Sequence, residues 1–244
     1  MGPNMTSRQR LATPGSVLSV LLAAMASILF PAAVRADDSV PANTVRVGEY
    51  FVRYSASAPD LQGPFTPPGI NLSVDHVNTP YFAYLRRLAP AWELEFAFGV
   101  PPTTHTRGVG PAYLGSIPFN GQEVATAKWF SPTLLLEYKF RDEHEKFRPY
   151  VGVGVNYTHF YERNSTAAGN AANGGPTVTD LSNSIGPAAT AGLSYKFTDH
   201  INAIASYSIA QVDSNYRSIT AGVVRSTTIH FNPETFVVAV GYSF

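Results

Sequence analysis

Apolar residues recur at every second position in several segments of the chain. In the final segment, Phe236, Val238, Val240, Tyr242 and Phe244 share one face, and the residues between them are mostly smaller. Such alternation predicts β-strands, because successive side chains of a strand point to opposite faces. The same pattern occurs in five further segments, namely 92–99, 131–140, 148–158, 184–197 and 201–210.

In all six segments, the bulky face is apolar and the opposite face is small or polar. In the segment 148–158, for example, Val151 and Val153 oppose Gly152 and Gly154. A small, glycine-rich face cannot fill a protein core by itself, so a soluble sandwich with one crowded face is the weaker interpretation. The pattern favours an outer-membrane barrel, in which bulky residues meet lipid and small ones line the lumen.

Two further strands are expected at 44–55 and 74–88, which brings the count to eight. Long links follow the first, third, fifth and seventh strands, and short links follow the second, fourth and sixth. This alternation is typical of a membrane barrel with both ends of the chain in the periplasm. The sequence therefore predicts an all-β fold, an eight-stranded antiparallel transmembrane β-barrel. The long links are 56–73, 101–124, 162–183 and 213–229.

The first 36 residues resemble a secretory signal peptide. Arg8 and Arg10 precede an uncharged stretch at 16–34, and Val34 and Ala36 suit a cut before residue 37. A membrane-anchoring helix is the alternative. We therefore expect a signal peptide at 1–36, cleaved near Ala36, and a single barrel domain at 37–244 in the outer membrane of a Gram-negative bacterium.

The closing strand ends in an apolar residue, which is unusual for a chain terminus. A barrel explains it, because the last strand must pair with the first to leave no free edge in lipid. Phe244, Tyr242 and Val240 are also similar to the signal by which the outer-membrane assembly machinery recognises its clients. The expected partners are therefore this machinery, outer-membrane lipid and lipopolysaccharide.

Four of these segments together resemble one family of barrels. "FRPYVGVGVNYTHFY" at 147–161 resembles the most typical segment of the OmpW family, and three others fall in the same order and spacing. They are "WELEFAFGVPP" at 92–102, "SPTLLLEYKF" at 131–140 and "FNPETFVVAVGYSF" at 231–244. The resemblance implies an eight-stranded barrel with a narrow, largely apolar interior. It also implies passage of small hydrophobic molecules across the outer membrane, with lateral exit through the wall.

The small face of the strands predicts where a solute would lie. Eight strands enclose room for side chains or for one small ligand, and small inward residues leave free volume. The predicted lumen lining is Ala97, Gly99, Leu135, Gly154, Asn156, Gly192 and Ala239.

Charged residues on the inward face cluster near the short turns. Both signs are present, so the side chains would pair and close the periplasmic end. The alternative is that each is solvated at the rim. This predicted periplasmic charge belt consists of Glu93, Glu95, Glu137, Lys139, Arg148 and Lys196.

Prolines in or beside the strands suggest where the wall is weak, because proline has no N–H group for the ladder. The candidates are Pro101, Pro102, Pro132 and Pro187. If the floor is closed, a solute that enters from outside must leave sideways through such a stretch. Ordinary placement at edges or bulges is the alternative.

Composition argues against several other classes of function, namely nucleic-acid binding, metal binding and catalysis. The chain has zero net charge, no cysteine and six histidines, none of which forms a close pair with metal-ligand spacing. We therefore expect no nucleic-acid partner, no metal site, no cofactor and no catalytic residue, and we do not expect an enzyme. The alternatives are a structural or adhesive barrel that acts through its loops and, less favoured, a lipid-modifying barrel enzyme.

Overall fold

The computed structural model describes residues 41–244, so the predicted signal peptide lies outside the described residues. Sixteen strands and one helix are present in this range. They are β1 (Asn43–Tyr54), β2 (Asn71–Val74), β3 (Val77–Ala89), β4 (Trp92–Gly99), β5 (Thr103–Val109), β6 (Tyr113–Leu114), β7 (Ile117–Pro118), β8 (Glu123–Phe130), β9 (Thr133–Lys139), β10 (Phe147–Ser165), α1 (Ala167–Asn173), β11 (Thr177–Leu181), β12 (Ser184–Lys196), β13 (Ile201–Ala210), β14 (Asp213–Thr220), β15 (Val223–His230) and β16 (Pro233–Ser243).

Eight antiparallel strands close into a barrel, in the order β1, β3, β4, β9, β10, β12, β13 and β16. This confirms the predicted fold class. The first two barrel strands differ from their predicted ranges only at the ends. β1 begins at Asn43, where residue 44 was predicted, and β3 begins at Val77, where residue 74 was predicted. Within residues 41–244, no helix has the length and apolarity needed to cross a membrane.

The closing strand pairs with the first over its whole length. The register runs from Thr44 opposite Ser243 to Tyr54 opposite Pro233. The amide of Phe244 donates to the carbonyl of Asn43 at 2.8 Å, so the ladder continues to the last residue. Val240, Tyr242 and Phe244 are exposed on the outer face of the barrel. The apolar terminus therefore lies on the surface that lipid covers in a membrane barrel.

The two ends of the barrel differ in the length of their connections. We call the end with the short turns at 90–91, 140–146 and 197–200 the turn end, and the opposite end the loop end. Short turns of outer-membrane barrels face the periplasm, and long loops face outward. The turn end also holds Asn43 and Phe244.

The long links form a second layer of structure at the loop end instead of irregular loops. The sheet continues from the loop-end part of β10 into β8, β5 and β2. A separate sheet consists of β11, β14 and β15. These elements bury a hydrophobic cluster that we call the loop core. Its buried members are Ile70, Leu72, Val74, Phe119, Val124, Ala127, Phe160, Leu181, Val212, Tyr216, Ile229 and Phe231.

Candidate functional site

The barrel encloses a cavity between the loop core and the turn end. Its empty volume, which includes the space at its mouth, is about 880 Å³. Small and hydroxyl-bearing residues such as Ala97, Ala188, Thr190 and Ser206 form much of its wall. A lining of this mixed apolar character suits one small molecule.

Four of the seven residues predicted to line the lumen do line this cavity, namely Ala97, Gly99, Leu135 and Asn156. The other three lie outside its lining. A Cβ atom on Gly154 would lie 1.8 Å from the carbonyl oxygen of Leu134, and one on Gly192 would lie 2.5 Å from the ring of Tyr150.

Close contacts also surround the third of these residues. Ala239 is buried, and its Cβ atom would lie 2.6 Å from a Cβ atom on Gly48. Small residues at these three positions therefore permit close approach of strands and of one aromatic ring, and they do not leave free volume there.

Aromatic residues line the cavity as well, and the sequence pattern did not identify them. Tyr50 and Tyr81 meet edge to face with 4.8 Å between ring centroids. Toward the loop end, Phe160 and Phe231 stack at 5.3 Å and both belong to the loop core. β1 and β3 mix charged and aromatic residues on both faces, so periodicity alone did not assign their inward side chains.

Buried ion pairs close the turn end. Arg46 donates to Glu95 at 2.7 Å, and the side chains of this pair are only 1% and 6% exposed. The hydroxyl of Tyr81 donates to the other oxygen of Glu95 at 3.0 Å. Lys139 and Glu93 form a second pair at 2.6 Å. We call Arg46, Glu93, Glu95, Glu137 and Lys139 the floor.

Ion pairing explains how four of the five floor residues can be buried. Arg46 pairs with Glu95 and Lys139 with Glu93, and the third carboxylate, Glu137, is 1% exposed beside them. Removing ions from water costs several kcal/mol for each ion, and pairing offsets this cost. Arg46 was missed from sequence because it lies on β1, whose facing was uncertain.

The other two residues of the predicted charge belt lie apart from the floor. Arg148 donates to the carbonyl of Pro90 at 2.9 Å in the turn that joins β3 to β4. Lys196 lies 3.6 Å from Asp199 and donates to the carbonyl of Glu143. These two cations therefore hold the turns together.

The wall contains one interrupted seam. Pairing of β4 with β9 stops at Ala97 opposite Thr133, and pairing of β5 with β8 begins at Thr103 opposite Lys128. We call the residues between these pairs, 98–102 and 129–132, the wall gap. Each edge stays bonded to its outer neighbour, because Val100 donates to the carbonyl of Pro80 and Tyr157 donates to that of Pro132.

Three of the four candidate prolines lie in the wall gap, namely Pro101, Pro102 and Pro132. Pro187 does not lie at a gap. It pairs with Val155, and its carbonyl accepts from the amide of Gln211 at 3.0 Å. The wall is therefore continuous at Pro187.

The cavity reaches the wall gap from inside, and aromatic rings cover the gap from outside. Gly99, Trp129 and Ser131 belong both to the gap and to the cavity lining. On the outer face, the rings of Phe98 and Phe130 meet edge to face across the gap, with 6.1 Å between centroids. The backbone ladder is therefore interrupted where the cavity meets the wall.

A polar cluster holds one edge of the gap in place. Asn156 donates to the hydroxyls of Ser131 at 2.9 Å and Thr133 at 2.8 Å. The hydroxyl of Ser131 also lies 2.7 Å from that of Thr158. Asn156 thus positions the gap edge that precedes β9 as well as lining the cavity.

Comparison with known proteins places this geometry among related barrels. The model of the OmpW family matches residues 71–244. Outer membrane protein W of Vibrio cholerae is 31% identical over 145 residues, which cover 59% of this chain and 63% of that protein. The match thus spans less than two thirds of that relative.

A second relative and one solved structure extend the comparison. The Dibenzothiophene metabolism operon protein PahQ of Pseudomonas aeruginosa is 29% identical over 122 residues, covering 49% of this chain and 53% of that protein. The crystal structure of OprG from Pseudomonas aeruginosa superposes with a TM-score of 0.74 at 20% identity, covering 84% of this chain and 96% of that one. This similarity supports the fold.

Proposed function

The chain belongs to the OmpW family of outer-membrane β-barrels, and we propose that it carries small hydrophobic molecules across the outer membrane and releases them sideways through the wall gap. The observation that carries this proposal is the contact between cavity and gap. The seam joins β4 to β9 and β5 to β8, and its pairing is interrupted at the wall gap. At this gap the cavity is lined by Gly99, Trp129 and Ser131.

The floor supports lateral release, because it blocks the straight path toward the turn end. A neutral apolar molecule that entered the floor would have to separate the Arg46–Glu95 pair or the Lys139–Glu93 pair in a dry environment. Breaking a buried pair costs about 3–5 kcal/mol. The side route needs no ion pair to break, since Phe98 and Phe130 cover it with rings alone.

The bilayer provides the driving force. An apolar solute gains about 25 cal/mol for each Å² of apolar surface that leaves water. A conduit that opens into the hydrocarbon therefore delivers such a solute to its preferred phase without exposing it to the periplasm. A polar solute gains nothing from this exit, so the route itself selects for hydrophobicity.

The name of one relative agrees with this class of solute. PahQ of Pseudomonas aeruginosa is named for an operon of dibenzothiophene metabolism, and dibenzothiophene is a neutral, apolar aromatic compound. The cavity lining here combines small apolar residues with Tyr50, Tyr81 and Trp129. Aromatic edges and faces of this kind bind flat apolar molecules by stacking and edge contacts.

A lumen-filling variant tests the proposal. Ala97 is 2% exposed and lines the cavity, so Ala97→Trp should occupy the solute space. We expect transfer of a solvatochromic apolar dye into vesicles that contain lipopolysaccharide to fall to the level of protein-free vesicles. A polar dye should not be transferred by either protein.

The matched control places the same ring on the outer face. Ala203 follows Ile201 on the face of β13 that meets lipid, so Ala203→Trp should leave dye transfer unchanged. Both variants are first checked for the heat-modifiable electrophoretic mobility of a folded barrel. If folded Ala97→Trp transfers dye as fast as the parent protein, the lumen is not the route, and a structural role of the loops becomes the better explanation.

A further inference from the structure

A second pocket lies at the loop end, outside the lumen. It is formed between the first two long loops, the end of α1 and the hairpin of β14 and β15, and its empty volume including the mouth is about 760 Å³. Phe119 and Tyr216 form buried walls, each 6% exposed. The aromatic walls are those of a site for a small molecule.

The mouth of this loop pocket exposes two aromatic rings. Phe65 is 88% exposed and Tyr113 is 67% exposed, and both line the pocket. Phe65 also has a φ of 59°, a backbone conformation that is unfavourable for a bulky residue. It lies between Pro64 and Thr66, which precedes Pro67, so the chain holds this ring outward at a stiff turn. A flat ligand would cover both rings.

One guanidinium supplies the only formal charge of the pocket lining. Arg225 donates from Nε to the carbonyl of Pro64 at 3.1 Å and from Nη1 to Oδ1 of Asn173 at 3.0 Å. Across residues 41–244, no carboxylate lies within ion-pair distance of Arg225, whereas Arg107 and Arg163 have Asp75 and Asp180 at 2.8 Å.

The fixed position of Arg225 leaves its Nη2 group without a protein acceptor among the described residues. Two neutral acceptors hold this guanidinium at the edge of an aromatic pocket. Its remaining N–H groups can bind a planar anion, because carboxylates accept hydrogen bonds from neighbouring N–H donors. Asp60 of the first long loop would not repel an anion in the loop pocket, because it lines a different groove together with Arg217.

We propose that the loop pocket binds a small aromatic carboxylate, with the ring between Phe65, Tyr113 and Phe119 and the carboxylate on Arg225. The phenol of Tyr216 is compatible with an anion, because a tyrosine is neutral at physiological pH and burial raises its pKa further, to about 12. The site thus selects for charge, in contrast to the lumen, which offers an apolar path.

The site is independent of the proposed conduit. The loop pocket and the lumen cavity share no lining residue, and the loop core lies between them. Phe160, Val212 and Phe231 face the lumen, whereas Phe119 and Tyr216 face the loop pocket. Binding at the loop end can therefore be measured whether or not the lumen conducts.

The experiment is a fluorine NMR titration of the full barrel in nanodiscs. The probes are 6-fluoro-2-naphthoate and its neutral primary amide, in which an NH2 donor group replaces one charged acceptor oxygen. Empty nanodiscs give the membrane background. We expect the parent protein to bind the carboxylate about tenfold more tightly than the amide, the value of one charged hydrogen-bond partner. Equal affinity for the two probes would overturn the proposal without any variant.

Variants then locate the site. Arg225→Gln should remove the preference for the carboxylate and leave binding of the amide unchanged. The matched control is Arg217→Gln. Arg217 is an exposed cation on the same hairpin. Its neighbours Tyr216 and Ser218 line the pocket, whereas Arg217 points to the opposite face of the strand. Loss of the preference in Arg217→Gln as well would mean that the net charge of the hairpin, not the pocket, attracts the anion.

A steric variant separates the pocket from non-specific binding. Ala112 lines the loop pocket, so Ala112→Phe should abolish binding of both probes. The heat-modifiable electrophoretic mobility of a folded barrel should stay at the parent level, which shows that the variant is folded whether or not the lumen conducts. If Ala112→Phe binds the carboxylate as tightly as the parent protein does, the proposal is wrong, whatever the lumen transports.

Discussion

The turn end and the loop end of the barrel are closed by different kinds of interaction. At the turn end, the floor joins charged side chains of opposite sign, such as Arg46 and Glu95, at 2.7 Å in a dry environment. At the loop end, the loop core joins apolar side chains such as Phe160, Phe231 and Ile229. Ion pairs need a fixed partner at a fixed distance, whereas apolar groups need only matched volume.

The ion-paired turn end is the firmer of the two barriers to an apolar solute. Buried ions cannot separate without a large electrostatic cost, so the floor stays closed to an apolar solute. Apolar side chains can change rotamers and still remain in contact, so the proposed entry of an apolar solute at the loop end breaks no ion pair. The asymmetry agrees with the proposed entry from the loop side and the proposed exit through the wall gap.

Breaking the floor should have the largest effect on stability. Glu95→Ala leaves the guanidinium of Arg46 and the hydroxyl of Tyr81 without their acceptor. We expect the free energy of unfolding in lipid vesicles to fall by about 4 kcal/mol, the cost of breaking a buried ion pair by removing one partner. Urea titration followed by tryptophan fluorescence measures it.

The double variant Arg46→Met/Glu95→Leu is the control for this prediction. It removes both charges and keeps apolar volume, so it should recover most of the lost stability, because apolar replacement of a buried pair is often neutral. If the single and the double variant are equally unstable, packing and not charge pairing closes the turn end.

Breaking the loop core should have a smaller and more local effect. Ile229 is 1% exposed, so Ile229→Ala should cost about 3 kcal/mol through lost contacts and a residual cavity. We expect faster amide hydrogen exchange in β14 and β15 and unchanged exchange in the barrel strands. Val178→Ala, at a position 68% exposed on β11, is the control and should change little. Faster exchange throughout the barrel would contradict a separate loop core.

The barrel could be predicted from the sequence because its period-2 pattern is a local property. Lipid selects large apolar residues on one face of every strand, so Val153, Leu136 and Phe236 identify the outer face without knowledge of their neighbours. The loop core could not be predicted in this way. Its members Ile70, Phe119 and Tyr216 come from three different links, and their burial depends on which links meet.

The inner face was only partly predictable for a similar reason. Residue size indicates an inward position, but it does not tell whether a neighbour fills the space. Gly99 borders the cavity, whereas the ring of Tyr150 occupies the space beside Gly192. The inward position of Arg46 was not predicted, because charged residues lie on both faces of its strand and give no period-2 pattern.

The prolines show what sequence alone can and cannot say about the wall. Each lacks a donor, yet only Pro101, Pro102 and Pro132 coincide with lost pairing. They lie in two facing segments, between β4 and β5 and between β8 and β9, so neither edge can rebuild the ladder with its neighbour. Pro187 lies alone between partners that keep their register, and its carbonyl still accepts a hydrogen bond.

The most direct test of lateral release is a crosslink across the wall gap. The chain has no cysteine, so Phe98→Cys with Phe130→Cys introduces two thiols where the two rings now meet. The control is Leu94→Cys with Leu136→Cys, since Leu94 and Leu136 are direct partners on the paired part of the same seam. Both pairs are joined by the same bis-maleimide in lipopolysaccharide-containing vesicles, and transfer of the apolar dye is followed before and after. We expect the crosslink across the gap to stop transfer and the control crosslink to leave it unchanged, and undiminished transfer through a barrel crosslinked at 98 and 130 would contradict exit through the wall gap.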